Sequence, residues 1–251
     1  MHAPPCYALK AQGIDVGVID SDQSLDQYSL VVAPMLYMIK PGVATRLENF
    51  VKRGGQLVMT YMSGVADEND LCFLGGMPGP LKDVLGIWVE ETGLWDYDKN
   101  SFVPVEGNEL GMVGTYQCGV ICDLMHAETA RVQCVYGEDF YKGTPALTVN
   151  DFGEGQAWYI ASKVERPFLK QFYAGRVKAL GIEQLAKQLP EGVLTASRDG
   201  ADGAKYIFYM NFDHEPRTVE PLDGCVDLLT GEKVTGPVTL DGLKGITLMR
   251  K

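Results

Sequence analysis

The chain has 251 residues, of which 46% are hydrophobic and 22% charged, with a formal net charge of −11. That balance suits a globular protein with a sizeable core; the acidity, with no long basic run to offset it, argues against nucleic acid and anionic membrane surfaces as partners. No apolar run reaches the roughly 18 residues of a membrane-span candidate, and no basic segment followed by an apolar stretch marks a signal peptide.

Residues 6–12 followed by Gly13 read as the end of a helix with its terminating glycine. Residues 14–19, Ile-Asp-Val-Gly-Val-Ile, read as a short strand, and Leu30-Val31-Val32-Ala33, closed by Pro34, as a second. Val43, Leu47, Phe50 and Val51 recur at helical spacing between Pro41 and the Gly54-Gly55 stop. Gln56–Thr60 is then a third apolar strand. Strands alternating with amphipathic helices imply a parallel sheet covered on both faces. The chain opens inside a helix with no strand before it, whereas a βαβ unit needs one; the expectation is a chain that starts partway through a domain, a fragment.

The third strand runs into Tyr61-Met62-Ser63-Gly64. In α/β enzymes a tight strand-to-helix elbow at such a point presents Ser or Cys between small residues two places either side. Thr60 and Gly64 supply those flanks, but Met62 occupies the centre and cannot act as a nucleophile. Framing the turn on Ser63 puts Tyr61 and Val65 at the flanks, which the turn resists.

Beyond the elbow, Asp67, Glu68 and Asp70 lie in a polar, Gly-rich stretch that reads as a solvated turn beside the end of the sheet, where open α/β folds place ligands. Pro80–Leu85 reads as a short helix ended by Gly86, Ile87–Val89 as a strand, and residues 95–111, with Trp95 and Tyr97, as loop. Residues 115–122 and Arg131–Tyr136 read as strands. Ala146–Asn150 and Ala157–Ala161 flank Phe152-Gly153-Glu154-Gly155, a hairpin signal. A helix opens at Pro167 and ends at Gly181. After Pro190 short strands alternate with Gly/Asp turns, a small antiparallel β module of about 60 residues that is marginal alone.

Six cysteines are too sparse for a disulfide scaffold, and buried thiols in a reducing, cytoplasmic setting are expected. Cys118, Cys122 and His126 recur every fourth residue, which on a helix shares one face. Their surroundings read as strand, where ligands four apart stand roughly 13 Å from each other, so no metal site is expected. Trp88 and Trp158 read as core, Trp95 as the better surface candidate, and His214 as a turn residue.

Several stretches resemble the middle domain of glycoside hydrolase family 42 β-galactosidases: residues 30–37 (LVVAPMLY), 51–55 (VKRGG), 60–70 (TYMSGVADEND), 74–86 (LGGMPGPLKDVLG), 143–146 (GTPA) and 153–159 (GEGQAWY). Asp227-Leu228-Leu229-Thr230-Gly231 resembles the small β domain that closes these enzymes. The resemblance covers nearly the whole chain in order. It implies a flavodoxin-like, class I glutamine amidotransferase-like domain at 1–190, associated with trimer formation and lacking the nucleophile, with Met62 in the vacant position, and a β domain at 191–251. It also implies an N-terminal (β/α)8 barrel carrying the catalytic glutamates, which this sequence does not contain.

Retaining glycosidases place two carboxyl groups roughly 5 Å apart. The family's acid/base follows an asparagine, so Asn108-Glu109 is a pair to locate, although it sits between Gly107 and Gly111 with no barrel strand before it. The expected function is thus the non-catalytic C-terminal portion of a β-galactosidase, without catalytic residues, cofactor or metal, forming a homotrimer with its barrel in place. Asp67, Glu68, Asp70 and Trp95 are the candidate interface or pocket-supporting residues. Two other readings stand beside it: an independent amidotransferase-like hydrolase using Ser63 or Cys72 with His126, and a stand-alone carbohydrate-binding module.

Overall fold

The computed structural model describes residues 5–250; within strand β3 the side chains of residues 95–99 are not described, so the Trp95 side chain lies outside the described part. The helices are α1 (Pro5–Lys10), α2 (Val43–Lys52), α3 (Lys82–Leu85) and α4 (Arg166–Leu180). The strands are β1 (Leu30–Ala33), β2 (Gln56–Thr60), β3 (Ile87–Pro104), β4 (Tyr116–Ala127), β5 (Arg131–Tyr136), β6 (Pro145–Phe152), β7 (Gly155–Ile160), β8 (Ser162–Val164), β9 (Ala186–Gln188), β10 (Val193–Asp199), β11 (Lys205–Asn211), β12 (Arg217–Pro221), β13 (Cys225–Asp227), β14 (Val238–Leu240) and β15 (Gly245–Arg250). Two compact units result, one of residues 19–171 and one joining residues 1–18 to 172–251.

In the larger unit, eight described strands form one sheet in the order β1-β2-β7-β6-β5-β3-β4-β8. The parallel sheet expected from the sequence is confined to β1, β2 and β7; the other pairings are antiparallel. The connections explain the difference. A helical crossover, α2, joins β1 to β2, and a longer excursion through β3 to β6 joins β2 to β7; parallel neighbours need a long connection of this sort. A short turn joins β6 to β7 and forces their antiparallel pairing, while β3 pairs antiparallel with both β4 and β5.

Residues 95–104, expected as loop, belong to the 18-residue strand β3, which pairs with β4 and β5. Their polar sequence hid a strand because hydrophobic alternation is weak there. Every residue of β2 is buried, as its position between two neighbours requires. Helix α2 packs on β2 and β7, turning Val43, Leu47, Phe50 and Val51 inward. In β4, Val120 and Ile121 form a bulge opposite β8: Cys118 pairs with Val164, Gly119 with Lys163 and Cys122 with Ser162.

The smaller unit contains a four-stranded sheet, β10-β11-β15-β13, and a three-stranded sheet, β14-β12-β9. Val193, Ile207, Tyr209, Val219, Leu240 and Leu248 close its core with Leu185, and the Tyr209 hydroxyl donates to the Leu185 carbonyl at 2.5 Å. Residues 14–19 are not a strand, contrary to their apolar pattern: no described strand pairs with them. Ile14 is buried, Asp15 accepts from the Ser197 hydroxyl and Val18 is 92% exposed.

The β6–β7 hairpin fits under the end of α2 because Gly155 has no side chain. A Cβ there would overlap the carbonyl oxygens of Val51 and Gly55. Gly155→Ala is therefore expected to cost about 3 kcal/mol, with Glu154→Ala at the exposed neighbouring position near neutral, both read from urea-unfolding midpoints.

Candidate functional site at the end of strand β2

Strand β2 ends at Thr60, and the chain turns through Met62 in the left-handed region, with φ of 54°. A non-glycine residue rarely adopts that conformation, and it is the backbone state in which an elbow displays its central side chain. Gly64 (φ 65°) completes the turn; a Cβ there would overlap the Pro78 carbonyl. No helix follows the turn, unlike a strand-to-helix elbow: residues 61–78 form loop, and a short 3-10 turn at Gly79–Leu81 leads into α3.

The hydroxyls beside Met62 are committed to holding the loop. Ser63 has no exposed surface; its Oγ donates to the Thr60 carbonyl at 2.6 Å and accepts from the Leu36 amide at 3.1 Å. Thr60 Oγ1 accepts from the Met35 amide at 2.9 Å. Ser63 is thus a staple and not a nucleophile.

Beneath the turn lies a residue that reading the sequence did not single out. Asp123, on β4, has no exposed surface. Its carboxylate accepts from the Met62 amide at 3.0 Å, the Tyr159 hydroxyl at 2.5 Å and the Thr92 hydroxyl at 2.7 Å. Burial pushes its pKa up, and the three donors pull it back toward ionisation. Burial also holds Tyr159 far above the usual phenol range, keeping it a donor. A lone carboxylate inside the apolar run Val120–Met125 was the available signal.

The acidic residues beyond the elbow divide by role. Asp67 Oδ1 accepts from the amides of Asn69 (2.8 Å) and Leu71 (3.0 Å), which makes it a turn-former. Glu68 and Asp70 are exposed, Asp70 at φ 61°. The Asp70 carboxylate beside Tyr37 raises that phenol's pKa. Leu71 and Leu74 project from the same loop, Leu74 fully exposed. Trp95 is not part of this cluster. It lies on β3 opposite Val120, and roughly 20 Å of strand separates it from Val89, where β3 meets the loop at Met77.

Glu109 is held by Arg131, whose Nε donates to it at 2.8 Å and whose guanidinium also pairs with Asp151. Arg131 and Asp151 border a surface cavity of about 520 Å³, whose lining also includes Lys82, Asp83, Glu128 and Asn150. The cation there is shared between two carboxylates, so Glu109 is fixed as an ion-pair partner. Trp88 stacks on His126, ring centroids 4.3 Å apart, and His126 Nε2 meets Glu90 at 2.8 Å. Trp158 is fully buried and His214 lies in an irregular turn, both as the sequence suggested. Among the described residues no group of three or more His, Cys, Asp or Glu side chains could hold a metal ion, and no helix is long and apolar enough to cross a membrane.

The larger unit is thus a mixed sheet with helices whose β2 turn carries methionine, and small antiparallel sheets follow it in the chain. Residues 7–183 match the family profile described as a β-galactosidase trimerisation domain, and residues 192–243 match that of a β-galactosidase C-terminal domain. The chain belongs to the glycoside hydrolase family 42 β-galactosidases. The β-galactosidase Pbg of Clostridium perfringens is 48% identical over 95% of this chain and 35% of its own length. BglY of Alicyclobacillus acidocaldarius is 43% identical over 97% of this chain and 36% of its own. The crystal structure of the β-galactosidase from Bacillus circulans sp. alkalophilus superposes with a TM-score of 0.93 at 40% identity, covering 98% of this chain and 36% of that one. The chain thus spans about a third of the length of the relatives it matches.

Asp123→Ala leaves three donors without their acceptor and is expected to cost about 3 kcal/mol, read from urea midpoints. The pH dependence has a definite sign. The folded carboxyl titrates above its unfolded value, so its contribution is full below about pH 4 and declines as pH rises through the folded value. Asp123→Asn is expected to remove that decline, measured as the urea midpoint between about pH 4 and pH 7.

Proposed function

We propose that this chain is the non-catalytic C-terminal portion of a β-galactosidase acting on terminal β-galactosides, and that it serves oligomerisation and support of a catalytic barrel. The observation that carries the reading is the elbow. Met62 stands at the nucleophile position in the conformation a nucleophile would need, with Ser63 buried and bonded beside it. Glu109, a carboxylate to weigh for glycosidic chemistry, is held by Arg131. The matched profiles, named for trimerisation and for the C-terminal domain, support the same assignment.

In this reading residues 1–190 form a trimerisation domain of flavodoxin-like, amidotransferase-like ancestry, and residues 191–251 a separate β domain. The full enzyme is a cytoplasmic homotrimer whose N-terminal (β/α)8 barrel supplies both catalytic carboxylates. The loop after the elbow is the supporting surface. Asp67 shapes it, Glu68 and Asp70 give it charge, and Leu71 and Leu74 give it exposed apolar area of the sort that marks interaction sites. Trp95 is assigned to a second contact, since its strand position separates it from the loop.

The purified chain is expected to release no p-nitrophenol from p-nitrophenyl β-galactoside above the buffer rate. Hydrolysis that survives both Met62→Ala and Glu109→Gln would overturn the non-catalytic reading. Sedimentation equilibrium is expected to show a trimer of the chain joined to its barrel. In that enzyme Leu74→Glu should shift the distribution toward monomer without lowering the melting temperature of this chain; an unchanged trimer would remove the loop from the interface.

A further inference from the structure

The bulge in β4 changes the relation between two of its cysteines. On a regular strand Cys118 and Cys122 would stand roughly 13 Å apart. Measured against β8 they face Val164 and Ser162, which are second neighbours, so the gap closes to roughly 6.6 Å between Cα atoms with both side chains on one face. Disulfides span roughly 4.4–6.8 Å between Cα atoms. Val120 takes φ of 73° to make the bulge, a costly conformation for a β-branched residue. Both thiols are buried, at 3% and 0% exposure, and each shifts the other's pKa. Ser162 Oγ sits 3.2 Å from Cys122 Sγ.

The pair is electronically unequal. Cys118 is the largest influence on Cys122 and draws its pKa down to about 7 against the opposing effect of burial. Cys122, then burial, drives Cys118 well above the ordinary thiol range. These directions assign Cys122 as the attacking thiol and Cys118 as its resolving partner. β8, a three-residue strand at the edge of the sheet, lies next to β4, and short edge segments open locally at low cost.

We propose that Cys118 and Cys122 form a peroxide-responsive dithiol that closes to an intrastrand disulfide and reopens with a thiol reductant. In the first step the Cys122 thiolate attacks one oxygen of hydrogen peroxide. The O–O bond breaks, hydroxide leaves and takes up a proton as water, and Cys122 becomes a sulfenic acid. In the second step the Cys118 sulfur attacks the Cys122 sulfur. The S–S bond forms, the S–OH bond breaks, and the hydroxyl leaves as water with the Cys118 proton. The sum is two thiols and one peroxide to one disulfide and two waters. Cys122 adjoins Asp123, so the link forms beside the carboxylate that anchors the Met62 turn.

The test treats the full 251-residue chain with hydrogen peroxide, quenches it in denaturant with an alkylating reagent and maps the peptides by mass. The expected result is loss of alkylation at Cys118 and Cys122 together, in a peptide lighter by two hydrogen atoms, restored by dithiothreitol. Cys118→Ser is expected to leave a sulfenic acid at Cys122 that dimedone captures, and Cys122→Ser to leave Cys118 unmodified. Full alkylation of both thiols in the unsubstituted chain, or oxidation of Cys122 that ends without a link to Cys118, would overturn the proposal. The unsubstituted chain alone distinguishes these outcomes, whether or not the variants fold.

Discussion

A carboxylate with no exposed surface organises the larger unit. Asp123 sits on β4, yet its donors come from β3, from the end of β7 and from the turn that follows β2. Removing an ion from water costs several kcal/mol, and the cost is offset only when the remaining lone pairs are filled. Three well-placed donors meet that condition. The turn at Met62 can then occupy a backbone state that a methionine would otherwise avoid, because its amide is bonded to the carboxylate.

The same arrangement explains how an elbow persists without a nucleophile. Its shape depends on the backbone bonds of Met62, the Ser63 staple and the close approach of Gly64 to Pro78, none of which involves the Met62 side chain. Selection for chemistry and selection for shape are separable at such a turn. The loop it launches is ordered by backbone bonds, such as Phe73 to Val65, and by the Asp67 carboxylate. Its apolar residues Leu71 and Leu74 are left facing solvent.

Much of this was legible in the residues. Helix α2, strands β1 and β2, the β6–β7 hairpin and the strands from β10 to β15 announced themselves through periodicity and glycine stops, because each is a local decision. The direction of the sheet was not legible, since parallel or antiparallel pairing depends on the length of connections and on partners far away in the chain. The polar half of β3 was invisible for a related reason: β4 and β5 supply its hydrogen bonds, whatever its own alternation. Asp123 stood in plain view, but its meaning required Tyr159 and Thr92, which only the fold brings to it. The cysteine spacing misled because a bulge is a property of two strands, and a single strand's rise of about 3.3 Å per residue cannot reveal it.

Strand β2 pairs with β7 in the register Gln56 to Gln156 and Thr60 to Ile160, across a hundred positions of chain. Loop closure over that distance must be met before the contacts repay it, which slows folding. During synthesis β1, α2 and β2 emerge early and wait, with one flank of a wholly buried strand uncovered, until β7 is made. The order of synthesis therefore leaves the seam between β2 and β7 open until β3 to β6 have been made, an interval in which the nascent chain is exposed to aggregation.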